Sequence, residues 1–144
     1  MNLRPALGLY VLAAAVFLVL DLVWLTLVAP GLYEHFLGDL LAEDPNVVAA
    51  FLFYAIFVAG LVYFVLVPAL EEQSARTALV RGAAFGFVTY ATWDLTSLAV
   101  IEGFPAGVVP IDMAWGTLLA AAVSLSTYHL WQRLAARRPA ETSG

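Results

Sequence analysis

Four long apolar runs, separated by short polar segments, set the pattern of the chain. A helix needs about 20 mostly apolar residues to cross roughly 30 Å of bilayer hydrocarbon. Four segments meet that requirement, at about 7–28, 47–68, 79–101 and 109–131. The breaker pair Pro30-Gly31 ends the first run, and Asp44-Pro45 precedes the second as its predicted N-cap and first helical residue. The pattern predicts an all-α, polytopic membrane protein, folded as a four-transmembrane-helix bundle.

The first outer loop carries a helical pattern of its own. Apolar residues recur there at helical spacing, opposite Glu34, His35, Gly38 and Asp39; they are Leu32, Tyr33, Phe36, Leu37, Leu40 and Leu41. This spacing predicts a short amphipathic helix on the outer surface. Because its polar face is acidic, we expect burial of the apolar stripe, in lipid or over the bundle, to hold it in place.

The basic residues predict the orientation, because short cytoplasmic loops carry an excess of Lys and Arg. The chain has six, Arg4, Arg76, Arg81, Arg133, Arg137 and Arg138. All lie at the N-terminus, between the second and third runs, or at the C-terminus, whereas the other two loops carry only acidic charges. Both termini are therefore predicted to be cytoplasmic. Residues 1–135 form a single transmembrane domain in this interpretation, and residues 136–144 a disordered cytoplasmic tail.

Composition supports the membrane class and excludes others. The chain is 63% hydrophobic and 12% charged, whereas a soluble domain is closer to half apolar and a quarter charged. A net charge of −5 argues against nucleic acid as a partner. Without cysteine, and with His35 and His129 far apart, there is no Cys or His ligand cluster. We therefore expect no metal site and no cofactor, and the lipid bilayer as the surrounding partner.

Three aspartates fall within the predicted spans. Asp21 and Asp94 lie about 6 Å beyond the midpoints of the two outward-running helices, at one depth. Ionisable residues at such depths are costly and are usually functional or paired. Their structural alternative is a hydrogen bond between helices. Asp112 lies nearer the outer surface, two residues after Pro110, where a helix-dipole role in the first turn is the alternative.

Each aspartate is accompanied by tryptophan. Asp21 with Trp24 and Asp112 with Trp115 repeat the pattern D-x-x-W-x-T, and Trp93 directly precedes Asp94. The i, i+3 spacing places Asp and Trp on one face of the helix. The alternative for the tryptophans is an outer aromatic belt, which fits Trp24 better than the deeper Trp93.

Small residues indicate which helix faces pack together. The third run repeats every four residues through Gly82, Gly86, Tyr90 and Asp94, a spacing that permits close helix approach. The fourth run has a parallel series; its members are Asp112, Gly116, Ala120 and Ser124. We expect tight packing on the cytoplasmic side and a polar pocket that opens outward. The predicted ligand-binding residues are Asp21, Trp24, Tyr54, Tyr90, Trp93, Asp94, Asp112 and Trp115.

Several blocks resemble a known family. They are Asp21-Leu22-Val23-Trp24-Leu25, Phe53-Tyr54, Gly60 to Phe64, Tyr90 to Thr96, and Asp112-Met113-Ala114-Trp115-Gly116. Over about residues 5–132 the chain resembles the uncharacterised bacterial membrane family called domain of unknown function 2177. The resemblance implies a four-helix, multi-pass protein of the bacterial inner membrane. It implies no reaction.

Three functions remain open at this point. The first is binding or transport of a small cationic or proton-coupled ligand in an outward-facing acidic and aromatic pocket, where transport would require a homodimer. The second is a structural subunit that joins a membrane partner protein. The third is a membrane-embedded enzyme of lipid modification, with Asp21 and Asp94 as an acid/base pair.

Overall fold

The computed structural model describes residues 3–137, and throughout that range the regular structure is helical. The predicted tail at 136–144 lies outside the described residues from position 138 onward. Five helices follow one another: α1 (Leu3–Leu27), α2 (Ala29–Leu37), α3 (Val47–Glu71), α4 (Ala75–Val100) and α5 (Val108–Ala136). A short 3-10 turn, Gly38–Leu40, extends α2. The prediction of an all-α chain is confirmed.

Three of the described helices are long and apolar enough to cross a membrane: α1 over Pro5–Leu27, then α3 and α5. Helix α4 has 26 residues, about 39 Å at the rise of an α-helix, so its length suffices. Polar side chains around Asp94 lower its mean hydropathy below that of the other three. On length and composition together, three of the four predicted spans therefore qualify.

The predicted break after the first span lies two residues earlier than the sequence indicated. Helix α1 ends at Leu27, and Pro30 and Gly31 belong to the first turn of α2. A proline is tolerated there because the first N–H groups of a helix have no partner within it. Helix α2 then folds back along α1 and α5. Its apolar residues are half-buried over the bundle, whereas Leu40 and Leu41 stay exposed.

The ends of α3 correct two further details. Asn46, not Asp44, caps the helix, because the backbone N–H of Ala49 donates to Asn46 Oδ1 at 3.0 Å. The helix also continues past Pro68 to Glu71, through a π-helical turn at Val62–Leu66. A proline removes one N–H and crowds the carbonyl four residues earlier. The wider π turn directly before it accommodates both effects without ending the helix.

Helices α4 and α5 pack closely along the stripe of small residues. A Cβ added at Gly86 would meet the carbonyl oxygen of Gly116 and lie 2.7 Å from Ala120 Cβ. A Cβ at Gly82 would lie 2.6 Å from Ser124 Oγ. Glycine is required at both positions because the partner backbone or side chain already occupies that space.

The buried apolar core lies at one end of the bundle. It joins the first half of α1, the last part of α3, the start of α4 and the second half of α5; its largest members include Leu9, Phe17, Leu61, Leu66, Leu119 and Val123. Arg76, Arg81, Arg133 and Arg137 also belong to this end. The opposite end contains the two cavities described below.

Replacing Gly86 by alanine should destabilise the bundle. The new methyl group meets backbone that cannot move aside, and such overpacking costs about 1–3 kcal/mol. We expect a lower melting temperature for Gly86→Ala in detergent solution. The matched control is Gly31→Ala, where an added Cβ meets nothing within 4 Å. Equal melting temperatures for the two variants would contradict the close approach of α4 to α5.

Candidate functional site

The larger cavity lies at the end of the bundle opposite the core and has a volume of about 560 Å³. Seven of the eight predicted ligand-binding residues line it: Asp21, Trp24, Tyr54, Tyr90, Trp93, Asp112 and Trp115. The structure thus brings together residues from α1, α3, α4 and α5 that are far apart in sequence. Most of the remaining wall is apolar, and includes Phe53 and Phe57.

Asp21 links α1 to α3. It is buried, with 7% of its surface exposed, and the Tyr54 hydroxyl donates to its Oδ2 at 2.7 Å. The indole N–H of Trp115 lies beside the same carboxylate, although outside good hydrogen-bond geometry. Asp21 therefore makes a polar contact between α1 and α3 at the wall of a mostly apolar cavity.

Asp112 links α5 to the short helix α2. The Tyr33 hydroxyl donates to Asp112 Oδ1 at 3.0 Å. The alternative role in the first helical turn is wrong, because α5 begins at Val108, two residues before Pro110, and the first turn has no acidic residue. Asp112 therefore lies in the second turn, where its carboxylate faces the cavity.

The two tryptophans of the repeated pattern stack on each other. The ring centroids of Trp24 and Trp115 are 4.3 Å apart, and the ring planes differ by 9°. The threonines of the two repeats bond to their own helices: Thr26 Oγ1 donates to the Leu22 carbonyl at 2.7 Å and Thr117 Oγ1 to that of Met113 at 2.8 Å. The repeats on α1 and α5 thus face one another, with each aspartate bonded to a tyrosine.

Tyr33 lines both cavities and its hydroxyl donates to Asp112, although its position in the sequence places it only in the apolar stripe of the outer helix. Burial raises the pKa of Tyr33 above its ordinary value of 10. The hydroxyl therefore keeps its proton and remains a donor. The signal in the sequence was a phenol within a stripe of otherwise aliphatic and phenylalanine side chains.

Asp94 lies in a different cavity from Asp21. The second cavity has a volume of about 360 Å³ and is lined by Asp94 and Asp112 together with Tyr33 and Trp93. The charged neighbour of Asp94 is therefore Asp112, not Asp21, and the predicted Asp21–Asp94 pair does not share one cavity. Trp93 borders both cavities while 61% of its surface is exposed.

The larger cavity borders a gap between α3 and α4. Residues 47–53 of α3 are exposed, and α3 meets α4 chiefly through its last part, residues 62–71. Ala49 and Phe53 on one side, and Thr89 and Trp93 on the other, line the cavity at this gap. The cavity is therefore open sideways, toward the surface from which apolar side chains project.

One comparison with known proteins gives a match. Residues 6–129 match the family model described as Predicted membrane protein (DUF2177). The chain belongs to this family. The resemblance carried by the aspartate and tryptophan blocks is thereby confirmed, and the description of the family agrees with the assignment to a membrane protein. No curated protein and no solved structure matches the chain, so this DUF2177 protein acquires no activity from a relative.

The stacked tryptophans should be energetically coupled. Aromatic pairs contribute about 0.5–1.5 kcal/mol beyond the area that they bury. In a double-mutant cycle of Trp24→Leu and Trp115→Leu, the double variant should lose less stability than the sum of the single variants, by that amount. The measurement is thermal or chemical unfolding in detergent. A parallel cycle of Trp24→Leu with Trp93→Leu is the control, and equal coupling in both cycles would argue against the stack.

Proposed function

We propose that the chain is a four-span protein of the bacterial inner membrane, with both termini in the cytoplasm, that binds an amphipathic organic cation in the larger cavity. The observation that carries the proposal is the pairing of buried carboxylates with stacked tryptophans in a mostly apolar cavity.

The distribution of charge supports this orientation. The arginines of α4 and of the end of α5 lie at the packed end of the bundle, whereas the cavity end carries Glu34 on α2 and Glu43, Asp44 and Glu102 in the loops. Cytoplasmic loops carry the excess of basic residues. The packed end therefore faces the cytoplasm in our proposal, and the cavities lie in the outer half of the bilayer.

The packing of α4 supports its role as the fourth span. Ala78, Gly82, Gly86, Asp94 and Ser97 on α4 are buried, and α4 packs along α5, which is itself apolar enough to span. In the bilayer core, polar side chains are tolerated where they face other helices instead of lipid. A buried Asp94 is thus compatible with a membrane crossing despite the lower mean hydropathy of α4.

Single-cysteine labelling tests whether α4 crosses. Because the chain has no cysteine, Glu71→Cys and Glu102→Cys each introduce one reactive thiol, at either end of α4. In intact cells a membrane-impermeant thiol reagent should label the Glu102→Cys variant and leave the Glu71→Cys variant unlabelled until the cells are lysed. Labelling of both variants from the same side would mean that α4 does not cross.

The charge balance of the cavity favours a cation. Asp21 and Asp112 both line it. The ion pair between Arg81 and Glu72 lies at the packed end of the bundle, with both side chains about half exposed, and so does not neutralise the two aspartates. Carboxylates without a counter-ion are costly at low dielectric. The face of a tryptophan attracts a cation by about 0.5–2 kcal/mol. A bound cation would satisfy both features.

The hydrogen bonds narrow the choice of cation. Asp21 Oδ2 and Asp112 Oδ1 already accept hydrogen bonds from the hydroxyls of Tyr54 and Tyr33. A quaternary ammonium group has no N–H donor and interacts through charge and cation–π attraction, so it suits two carboxylates that stand beside stacked indole rings. The sideways gap between α3 and α4 gives room for an apolar tail that reaches the bilayer. An amphiphile with a quaternary ammonium head matches both halves of the cavity.

Binding of hexyltrimethylammonium to the purified chain in maltoside detergent is the direct test. We expect quenching of tryptophan fluorescence and a higher melting temperature. Asp21→Asn should weaken binding about tenfold or more, since it removes a negative charge beside the cation, and a loss of about 1.4 kcal/mol already corresponds to tenfold. Trp115→Leu should weaken it by the cation–π contribution of about 0.5–2 kcal/mol.

Two controls make this test selective. Asp44→Asn removes a carboxylate from an exposed loop and should leave the affinity unchanged. An uncharged isostere, with carbon in place of nitrogen, should bind much more weakly than hexyltrimethylammonium. Equal binding of the isostere, or no effect of Asp21→Asn, would exclude recognition of a cation in this cavity.

A structural role is the second candidate, and one observation favours it. The Tyr54–Asp21 and Tyr33–Asp112 hydrogen bonds each join two helices, as a subunit that only locks its own bundle would require. In that case Tyr54→Phe should lower the stability, and no cation should bind to the folded wild-type protein.

A further inference from the structure

The second cavity is separate from the larger one and is built mainly by the short outer elements. Leu37 and Leu40 of the α2 segment cover it, and Phe104 of the α4–α5 loop closes one side. Asp94 and Asp112 supply its charge. Tyr33, through its hydrogen bond to Asp112, forms the partition between the two cavities.

Asp94 differs from the other two buried aspartates. Only 1% of its surface is exposed, and neither carboxylate oxygen has a hydrogen-bond partner among the described residues. Asp21 and Asp112 each accept a hydrogen bond from a tyrosine hydroxyl. Buried polar groups are nearly always hydrogen-bonded, because an unsatisfied one retains the full cost of desolvation. A carboxylate with two free acceptor atoms at a cavity wall therefore marks a place where a donor binds.

A bare metal ion is not the kind of ligand that these residues suit. Among residues 3–137, no group of three or more His, Cys, Asp or Glu side chains could hold a metal. Calcium takes six to eight oxygen ligands, and magnesium needs near-ideal octahedral geometry, whereas two carboxylates line this cavity. Its volume also leaves space for a group larger than an ion.

We propose that the second cavity binds an organic cation that carries N–H donors, an ammonium or guanidinium group, with Asp94 as its acceptor. The N–H groups donate to the two free oxygens of Asp94, and Asp112 adds a second negative charge. Trp93, Tyr33 and Phe104 surround the cation with aromatic rings, which attract it further. This site does not depend on the function proposed for the larger cavity.

The chemistry of the two cavities is complementary. In the larger one, Asp21 and Asp112 each already accept a hydrogen bond from a tyrosine and stand beside stacked indole rings, so it suits a cation that is held by charge and ring faces. In the smaller one, both oxygens of Asp94 lack a donor among the described residues, so it favours a cation with N–H groups. The two sites therefore differ in their preference between quaternary ammonium groups and alkylammonium or guanidinium groups.

The test compares butylammonium with tetramethylammonium on the purified full chain, in maltoside detergent and a buffer free of primary amines. Calorimetric titration and thermal unfolding both report binding. For wild type we expect butylammonium to bind, and Asp94→Asn to weaken its affinity about ten- to a hundredfold, as loss of a charge-assisted hydrogen bond implies. The effect of tetramethylammonium should survive Asp94→Asn and be lost in Asp21→Asn.

A second variant keeps the proposal testable if Asp94→Asn does not fold. Leu40→Trp places a larger side chain at the cavity wall without altering a charge, and because Leu40 is more than half exposed, the fold should tolerate it. It should block butylammonium and leave tetramethylammonium binding intact. No binding of butylammonium to folded wild type, or binding unaffected by both variants, would overturn the proposal. Loss of tetramethylammonium binding alone would bear only on the larger cavity.

The alkylammonium group has two natural sources, a free amine and a lipid headgroup. Protein in bilayer discs of ethanolamine-headgroup lipid should require more butylammonium for half-saturation than protein in discs of choline-headgroup lipid if the lipid occupies the site. Equal half-saturation in the two kinds of disc identifies a free amine as the ligand.

Discussion

The close approach of α4 to α5 fixes the geometry on which both cavities depend. At Gly86 the two helices are separated by little more than backbone, and the ring of Tyr90 packs directly on Gly116. Because residues four apart share one helix face, the stripe that makes this contact continues outward to Asp94 on one helix and Asp112 on the other. The two carboxylates become neighbours because the glycines on the same stripe let the backbones of α4 and α5 approach closely.

The surroundings of the three aspartates then give them different chemistry. Asp21 and Asp112 are held between helices by tyrosine hydroxyls, whereas Asp94 is buried more deeply and neither of its oxygens has a hydrogen-bond partner among the described residues. Water cannot compensate for a missing hydrogen bond in the apolar part of a bilayer as it does at a soluble surface. The contrast between satisfied and unsatisfied carboxylates therefore reflects the local fold, since all three residues are of one type.

The sequence predicted the helices and most members of the larger cavity, because both follow from local periodicity. The D-x-x-W spacing placed Asp and Trp on one face of each helix, and the small-residue stripe indicated the contact between α4 and α5. The periodicity of the sequence could not predict that Trp24 stacks on Trp115, because the stack requires α1 and α5 to be neighbours. Nor could it separate Asp94 from Asp21, because equal depth in the bilayer does not determine which helix face meets which cavity.

Tyr33 shows why a short surface helix matters to a site inside the bundle. Helix α2 begins at Ala29, two residues after α1 ends, with Pro30 and Gly31 in its first turn. It therefore stays in contact with α1 and α5. Phe36 then packs against Gly107, where a side chain would collide with its ring. These two contacts hold the Tyr33 hydroxyl at Asp112. Because burial raises the pKa of Tyr33 above its ordinary value, that hydroxyl stays protonated at neutral pH and remains able to donate to Asp112 between the two cavities.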